Sequence, residues 1–270
     1  MKKRLAILLS GVMVMSFALA GCGGGGNTPE KTTEASKEDM VYAVEAGSAG
    51  AEVAAEKGFK TNEVASQADA LMEVQSGTSD AAIIDLLMAG AMIGEGTSYP
   101  DLIHTDELTT EEYGVGCRKG SDLASFINSV LYTTSQDGTL QEVAEKYGVQ
   151  ESLVDIPEST FEASAKDSDV AAIKEKGVLV VGVTDFAPMD YKDESGAWIG
   201  FDADMANIVA EELGVDCQIV EIDWDTKTME LDSKNIDVVW NGMTLTNEVT
   251  NAMECSVPYC NNAQVVVTQK

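Results

Sequence analysis

Histidine is almost missing from this chain: His104 is the single one in 270 residues. That argues against a histidine-based metal centre or a Ser-His-Asp triad. Basic residues are scarce too. Seventeen Lys and Arg stand against 46 Asp and Glu, for a formal net charge of −29. Such a chain cannot neutralise a phosphate backbone, which excludes a nucleic-acid partner. The same field repels an anionic membrane surface. No Cys-x-x-Cys spacing occurs, so a zinc or dithiol motif has no support. No metal and no cofactor are expected. What is present is ordinary for a globular protein: 44% of residues are apolar, too many for a disordered chain. The length allows one large domain or two small ones.

The N-terminus has its own pattern. Met1-Lys2-Lys3-Arg4 is a basic start, and an apolar run follows from Leu5 to Ala20. The run is shorter than the roughly 20 residues a spanning helix needs. It reads as a signal segment. Leu19-Ala20-Gly21-Cys22 resembles a bacterial lipobox, so residues 1–21 are expected to be removed and Cys22 to carry lipid. Each buried methylene of the acyl chains adds about 0.8 kcal/mol of membrane affinity. An ordinary signal peptide with an incidental cysteine is the alternative. Residues 22–39 are rich in Gly, Thr, Ser and charge and read as a flexible tether. Export permits disulfides. A Cys255–Cys260 pair is open on spacing, and free thiols at Cys117, Cys217, Cys255 and Cys260 are the favoured reading.

Beyond the tether, apolar strands and helical periodicities alternate, which predicts an α/β fold with a mostly parallel sheet. Strands are predicted at Val41–Val44, Ala81–Ile84, Glu112–Cys117, Val178–Val183, Cys217–Ile222, Ile236–Trp240 and Gln264–Thr268. Helices are predicted up to Gly58, from Ser66 to Gly77, from Leu86, around Leu123–Leu131, from Gly138 to Gly148 and from Phe201 to Gly214. Residues 149–172 read as a surface linker between two such units.

Several motifs together resemble one family. Val178–Asp185, Phe186-Ala187-Pro188, Tyr191–Gly196, Gly200–Asp204, Gly242–Thr246 and Val257-Pro258-Tyr259 resemble the first lobe of amino-acid-binding proteins of ABC importers. Val44–Gly50, Ser79–Asp85 and Glu111–Gly120 resemble the second lobe. Each motif is weak alone, and together they cover nearly everything after the tether. The resemblance implies a type II, two-lobe periplasmic-binding-protein-like fold with ligand in the cleft. The order is reversed, so the chain resembles a circular permutant. Residues 40–112 would be the family's second lobe, 113–148 a hinge strand with helices returning to the first lobe, and 149–172 the permutation linker. Residues 173–270 would be the first lobe. In that layout only the strand around Tyr113–Arg118 crosses covalently, and the strand near Val265–Val267 is held by pairing alone.

The resemblance also implies a binding set. Asp85, at a strand's C-terminal end, matches the acceptor of the ligand's ammonium, against the plain alternative of a helix N-cap. Ser48, Ala49 and Gly50 precede a helix, whose free N–H groups favour the ligand carboxylate. Gly242 and Thr244, flanked by Asn241, match further main-chain and hydroxyl contacts. Phe186 and Trp224 match two aromatics that sandwich the ligand side chain. Glu45 and Asp185 are placed near that end, so a polar or cationic side chain is favoured. One departure stands out: Val249 occupies the place of the family's carboxylate-clamping arginine. Arg118 and Lys119 are substitutes by charge only. Asp80, Trp240 and His104 read as structural, core and surface residues.

These readings add up to an anchored, extracytoplasmic, monomeric receptor that hands an amino acid to an ABC permease and touches the membrane only through Cys22. An enzyme on the same fold, such as a dehydratase or cell-wall lyase, is the first alternative. A sensory or scavenging receptor without its own permease is the second.

Overall fold

The computed structural model describes residue 37 and residues 39–162 and 168–270. The expected signal segment, Cys22 and most of the tether lie outside these residues. In the leading half, β1 (Val41–Glu45), α1 (Ala49–Lys57), β2 (Lys60–Val64), α2 (Gln67–Ser76), β3 (Ala81–Asp85), α3 (Leu86–Met92) and β4 (Leu102–Glu107) follow in order. The capping signals act as the sequence predicts. Ser48 and Ser66 accept hydrogen bonds from Ala51 N and Asp69 N, and Gly58 and Gly77 end their helices in the left-handed region.

The trailing half holds β5 (Glu111–Cys117), α4 (Leu123–Asp137), α5 (Thr139–Tyr147), α6 (Asp169–Lys176), β6 (Val178–Val183), the hairpin β7 (Tyr191–Lys192) and β8 (Trp198–Ile199), and α7 (Phe201–Leu213). It continues through β9 (Asp216–Glu221), α8 (Lys227–Asp232), β10 (Val238–Thr244), α9 (Asn247–Ala252), β11 (Glu254–Cys255), β12 (Cys260–Asn262) and β13 (Gln264–Gln269).

Among the described residues, two large sheets result, one per lobe, beside the two-stranded β7-β8 sheet. The leading sheet has the order β2-β1-β3-β13-β4, parallel except at β13. The trailing sheet has the order β11-β5-β10-β6-β9, with β12 also on β5. The mixed α/β, two-lobe architecture agrees with the expected fold class. β2 and β4 were not predicted. Both are edge strands with mostly exposed polar side chains, so they lack the apolar signal of a buried strand. His104 lies exposed on β4 rather than in a loop.

The lobe boundaries need one correction. Residues 264–269, expected within the 173–270 lobe, belong to the leading sheet, where β13 pairs with β3 and β4. The chain therefore crosses between lobes twice, at residues 108–110 and at Ala263. The expectation of a single covalent crossing is overturned. The crossings brace each other: Leu108 N donates to Gln264 O (2.7 Å) and Gln264 N to Thr109 Oγ1 (2.9 Å).

The stretch expected as a surface linker is also partly anchored. Val149 and Ile156 are buried, Val154 N donates to Tyr259 O, and the Phe161 ring meets Phe126 edge-on at 5.2 Å. The apolar residues among its acids fasten it to the trailing lobe. All four described cysteines are free.

Gly200 sets the entry to α7. Its φ is +137°, and a Cβ there would lie 2.0 Å from Met189 O. Gly200→Ala is expected to cost about 2–4 kcal/mol through strain and overpacking. Urea unfolding of the variant would show it; an unchanged midpoint would mean the turn can shift at no cost.

Candidate functional site

The C-terminal ends of β1 and β3 meet the trailing lobe: Gly47, just after β1, lies against Asp225 of the Trp224–Thr226 turn, and Asp85 of β3 accepts from Tyr113 of β5. Asp85 ends β3 and is fully buried. It does not cap α3. Its Oδ1 accepts from Tyr113 Oη (2.7 Å), Gln264 Nε2 (3.0 Å) and Asn262 Nδ2, and its Oδ2 from Gln67 Nε2. A carboxylate has about four acceptor positions, and protein donors fill them here. Burial first, then the Glu111 carboxylate, lift Asp85 to about 7.

Glu45 differs. It ends β1, is 3% exposed, and its Oε1 has no partner among the described residues. Burial lifts its carboxyl to about 8, with the Thr184 side chain and the Lys227 charge pulling the other way. The shift favours the neutral carboxyl, which can donate as well as accept. Thr184 belongs to the trailing lobe, so Glu45 sits where the lobes meet.

The turn after Glu45 carries the three predicted anion-site residues. Ser48 spends its hydroxyl on Ala51 N at 3.1 Å. No acceptor among the described residues engages Ala49 N or Gly50 N, the first N–H groups of α1. A Cβ on Gly50 would meet Gln264 Oε1 at 2.9 Å and Ile83 O at 3.0 Å, so glycine lets this helix start press against β3 and β13.

From the trailing lobe, Asn241 is engaged internally. Its Oδ1 accepts from Thr184 N and Oγ1, and its Nδ2 donates to Asp190 Oδ2 at 2.8 Å. Gly242 N donates to Asp202 Oδ2 at 2.6 Å. Its φ is +54°, and Phe186 packs where a Cβ would stand. Thr244 Oγ1 donates to Glu111 Oε2 at 2.9 Å. Behind this strand lie two fully buried carboxyls, Asp190 and Asp202, each with an unpartnered Oδ1. Burial lifts both, Asp202 to about 7 and Asp190 well above its usual range, where the neighbouring Asp202 charge adds to the effect.

The two predicted aromatics are both buried and face different partners. Phe186 meets Tyr113 edge-on, with centroids 6.3 Å apart. Trp224 carries the Lys227 ammonium 5.0 Å from its ring centre. Sequence reasoning missed Lys227, whose Nζ donates to Gly47 O across the lobe boundary at 2.8 Å. Its one available signal was a lysine three residues after Trp224. Arg118 pairs with Asp169 and Asp237, and Lys119 donates to Thr250 O and Met253 O. Neither lines a cavity between the lobes. Val249 lines a small one, beside Ser48 and Lys227.

A larger cleft of about 920 Å³ opens beside Glu45's partner Thr184. Its acidic residues are Asp69 from the leading lobe and Asp185, Glu221, Asp223 and Glu230 from the trailing one; no Lys or Arg lines it. Asp185 is exposed there, and burial followed by the Glu221 charge raises its carboxyl. Among the described residues, no acidic, histidine or cysteine cluster could hold a metal, and no helix is long and apolar enough to cross a membrane.

Residues 179–270 match the family described as bacterial extracellular solute-binding proteins, family 3. Three curated relatives align. The L-cystine-binding protein TcyJ of Escherichia coli (strain K12) is 35% identical over 88 residues, 32% of this chain and 33% of its own. The L-cystine-binding protein TcyA of Bacillus subtilis (strain 168) is 36% identical over 110 residues, 40% and 41% of the two chains. The cyclohexadienyl dehydratase of Pseudomonas aeruginosa is 31% identical over 105 residues, 38% and 39%. The chain thus spans about a third to two fifths of the length of these relatives. Over residues 179–270 it is similar to family 3 solute-binding proteins.

Proposed function

We propose that this protein captures an amino acid between its two lobes and delivers it to an ABC importer from an extracytoplasmic, lipid-anchored position. The observation that carries the reading is Glu45: a buried carboxyl with a partnerless oxygen, placed where two lobes meet beside an open cleft. A buried polar atom without a partner is costly, and a ligand donor would complete it. The free N–H groups of Ala49 and Gly50 supply the complementary end for a carboxylate. The cleft's acids, uncompensated by any lining Lys or Arg, favour a polar or cationic ligand side chain. Cystine-binding relatives agree with an amino-acid ligand. Closure of the two lobes about the paired crossings would be a hinge motion.

Two finer parts belong to this reading. Cys22 is the proposed lipid anchor. The halves follow one another in the permuted order: β13 pairs with β3, which pairs with β1, so β13 runs toward the end of the sheet where β1 starts.

The test is a thermal-shift screen of the purified, ligand-free protein over the common amino acids. A ligand at one hundred times its Kd is expected to stabilise by about 2.7 kcal/mol. Silence from every amino acid would sink the receptor reading, and a response to acidic amino acids alone would sink the polar or cationic preference. A dehydratase reading has one observation behind it, since protonated Glu45 could act as a general acid. It requires turnover that Glu45→Gln abolishes.

A further inference from the structure

In the trailing lobe, β10 carries a bulge. Its pairing with β5 runs through Val239–Gly116 and resumes at Met243–Gly114, so Trp240, Asn241 and Gly242 stand against Val115 alone. Val115 is spent on Ser256, whose N donates to its carbonyl and whose Oγ accepts from its N–H. The bulge must find partners elsewhere. Two carboxyls supply them. Asp202 Oδ2 accepts from Gly242 N at 2.6 Å, and Asp190 Oδ2 accepts from Asn241 Nδ2 at 2.8 Å. Neither acid belongs to the binding set that the family resemblance implies.

Both bonds are passed on to the turn that leaves β6. Asn241 Oδ1 accepts from Thr184 N at 2.9 Å and from Thr184 Oγ1 at 2.8 Å. Thr184 and Asp185 line the large cleft. Phe186 follows them, and a Cβ on Gly242 would lie 2.5 Å from its ring. Asp190 closes the same turn through its backbone: Phe186 N donates to Asp190 O and Asp190 N to Phe186 O. The turn therefore leans on two carboxyls that never reach the solvent.

Asp190 and Asp202 are 0% exposed, and the Oδ1 of each has no partner among the described residues. They are close enough for the Asp202 charge to act on Asp190, and no Lys, Arg or His acts on either. The other titratable groups around them are Tyr259, Cys217 and Cys260, which burial pushes up and so favours as neutral. Two like charges sealed together are costly, which favours a pair that keeps a proton.

We propose that Asp190 and Asp202 are positioning residues for the ligand: through Asn241 and Gly242 they hold the Thr184–Phe186 turn against the β10 bulge and so fix the trailing wall of the cleft. They touch no ligand themselves. An amide at position 190 can stand in for a protonated acid, because it offers Asn241 the same acceptor; a methyl group cannot. The proposal goes beyond the receptor reading and rests on it only for the ligand whose affinity is measured.

The test has two arms. The first needs no ligand and follows amide hydrogen exchange by NMR. Asp202→Ala is expected to cut protection at Gly242 N–H, and Asp190→Ala at Thr184 N–H, by about tenfold or more relative to Val181 in β6. A uniform loss across the sheet, or no loss at these amides, overturns the proposal. Each carboxyl has its own variant, so one that fails to fold leaves the other to decide. The second arm is calorimetry with L-arginine and L-cystine, at a temperature where circular dichroism shows each variant folded. Both alanine variants are expected to weaken whichever amino acid binds by about tenfold or more, and Asp190→Asn is expected to restore the affinity. Tyr259→Phe removes only a hydroxyl that donates to Asp202 Oδ2 at 2.8 Å. It is expected to lower Tm and leave Kd unchanged. Alanine variants that lose Tm but keep Kd assign the pair to stability alone and overturn the proposal. An equal loss of affinity in Tyr259→Phe overturns it too, since that variant leaves both bonds to the bulge in place. Silence from both amino acids in the wild type counts against the receptor reading and leaves the exchange arm to judge the pair.

Discussion

Asp85→Ala is expected to destabilise the protein by about 3–5 kcal/mol with no ligand present. The fully buried carboxyl gathers Tyr113, Gln67, Asn262 and Gln264 from both lobes. Truncation takes the acceptor from Tyr113 Oη and Gln67 Nε2, while Asn262 Nδ2 and Gln264 Nε2 keep Glu111 Oε2; each buried donor left unmet costs about 1–3 kcal/mol before relaxation. The donors sit beside both crossings, so the damage falls where the lobes are joined. The ammonium-acceptor role that the family resemblance implies makes a different forecast. A residue that only meets ligand leaves ligand-free stability alone and lowers affinity. Urea unfolding of Asp85→Ala without ligand separates the two, and an unchanged midpoint would return Asp85 to the ligand.

Stability is expected to fall as pH rises from about 5 to 8. Four buried carboxyls set the sign. Burial raises Glu45 to about 8, Asp85 and Asp202 to about 7, and Asp190 well above the usual range. Their unfolded values lie near 4. Between the unfolded and folded values the native state binds more protons than the unfolded one. The slope of unfolding free energy with pH is then negative. The stabilisation is complete below about 4 and is lost as each folded value is passed, at about 1.4 kcal/mol per pKa unit. Depressed carboxyls such as Asp137, Asp169 and Asp193 titrate below this window. Urea midpoints at pH 5, 6, 7 and 8 are expected to decline in that order. Asp202→Asn removes one titrating group and flattens the decline. A midpoint that climbs toward pH 8 would mean that these carboxyls are charged and well solvated in the native state.

Much of the fold was visible locally. Ser48, Ser66, Gly58, Gly77 and Gly214 mark helix ends through bonds within a few residues of themselves, and buried strands such as Ala81–Asp85 are continuous apolar runs. β2 and β4 escaped because an edge strand carries its pairing in the backbone and its polarity in the side chains. The site divided along the same line. Glu45, Ser48, Gly242 and Phe186 were candidates by position, since motifs report positions. Their duties were not legible: whether a buried carboxyl keeps a free oxygen depends on which donors the fold brings to it. Asp85 ends with four protein donors and Glu45 with a bare Oε1, although both are acids at the end of a strand.

The sequence alone determined the α/β class and the acidic character. These depend on composition and on neighbours along the chain. Tertiary structure decided that the chain crosses twice between lobes, that Asp85 is spent on the protein, and that Lys227 reaches the cavity Val249 lines. Each of these turns on groups far apart in sequence meeting in a buried space, where an unpaired donor or charge costs kilocalories and only packing determines which one is left over.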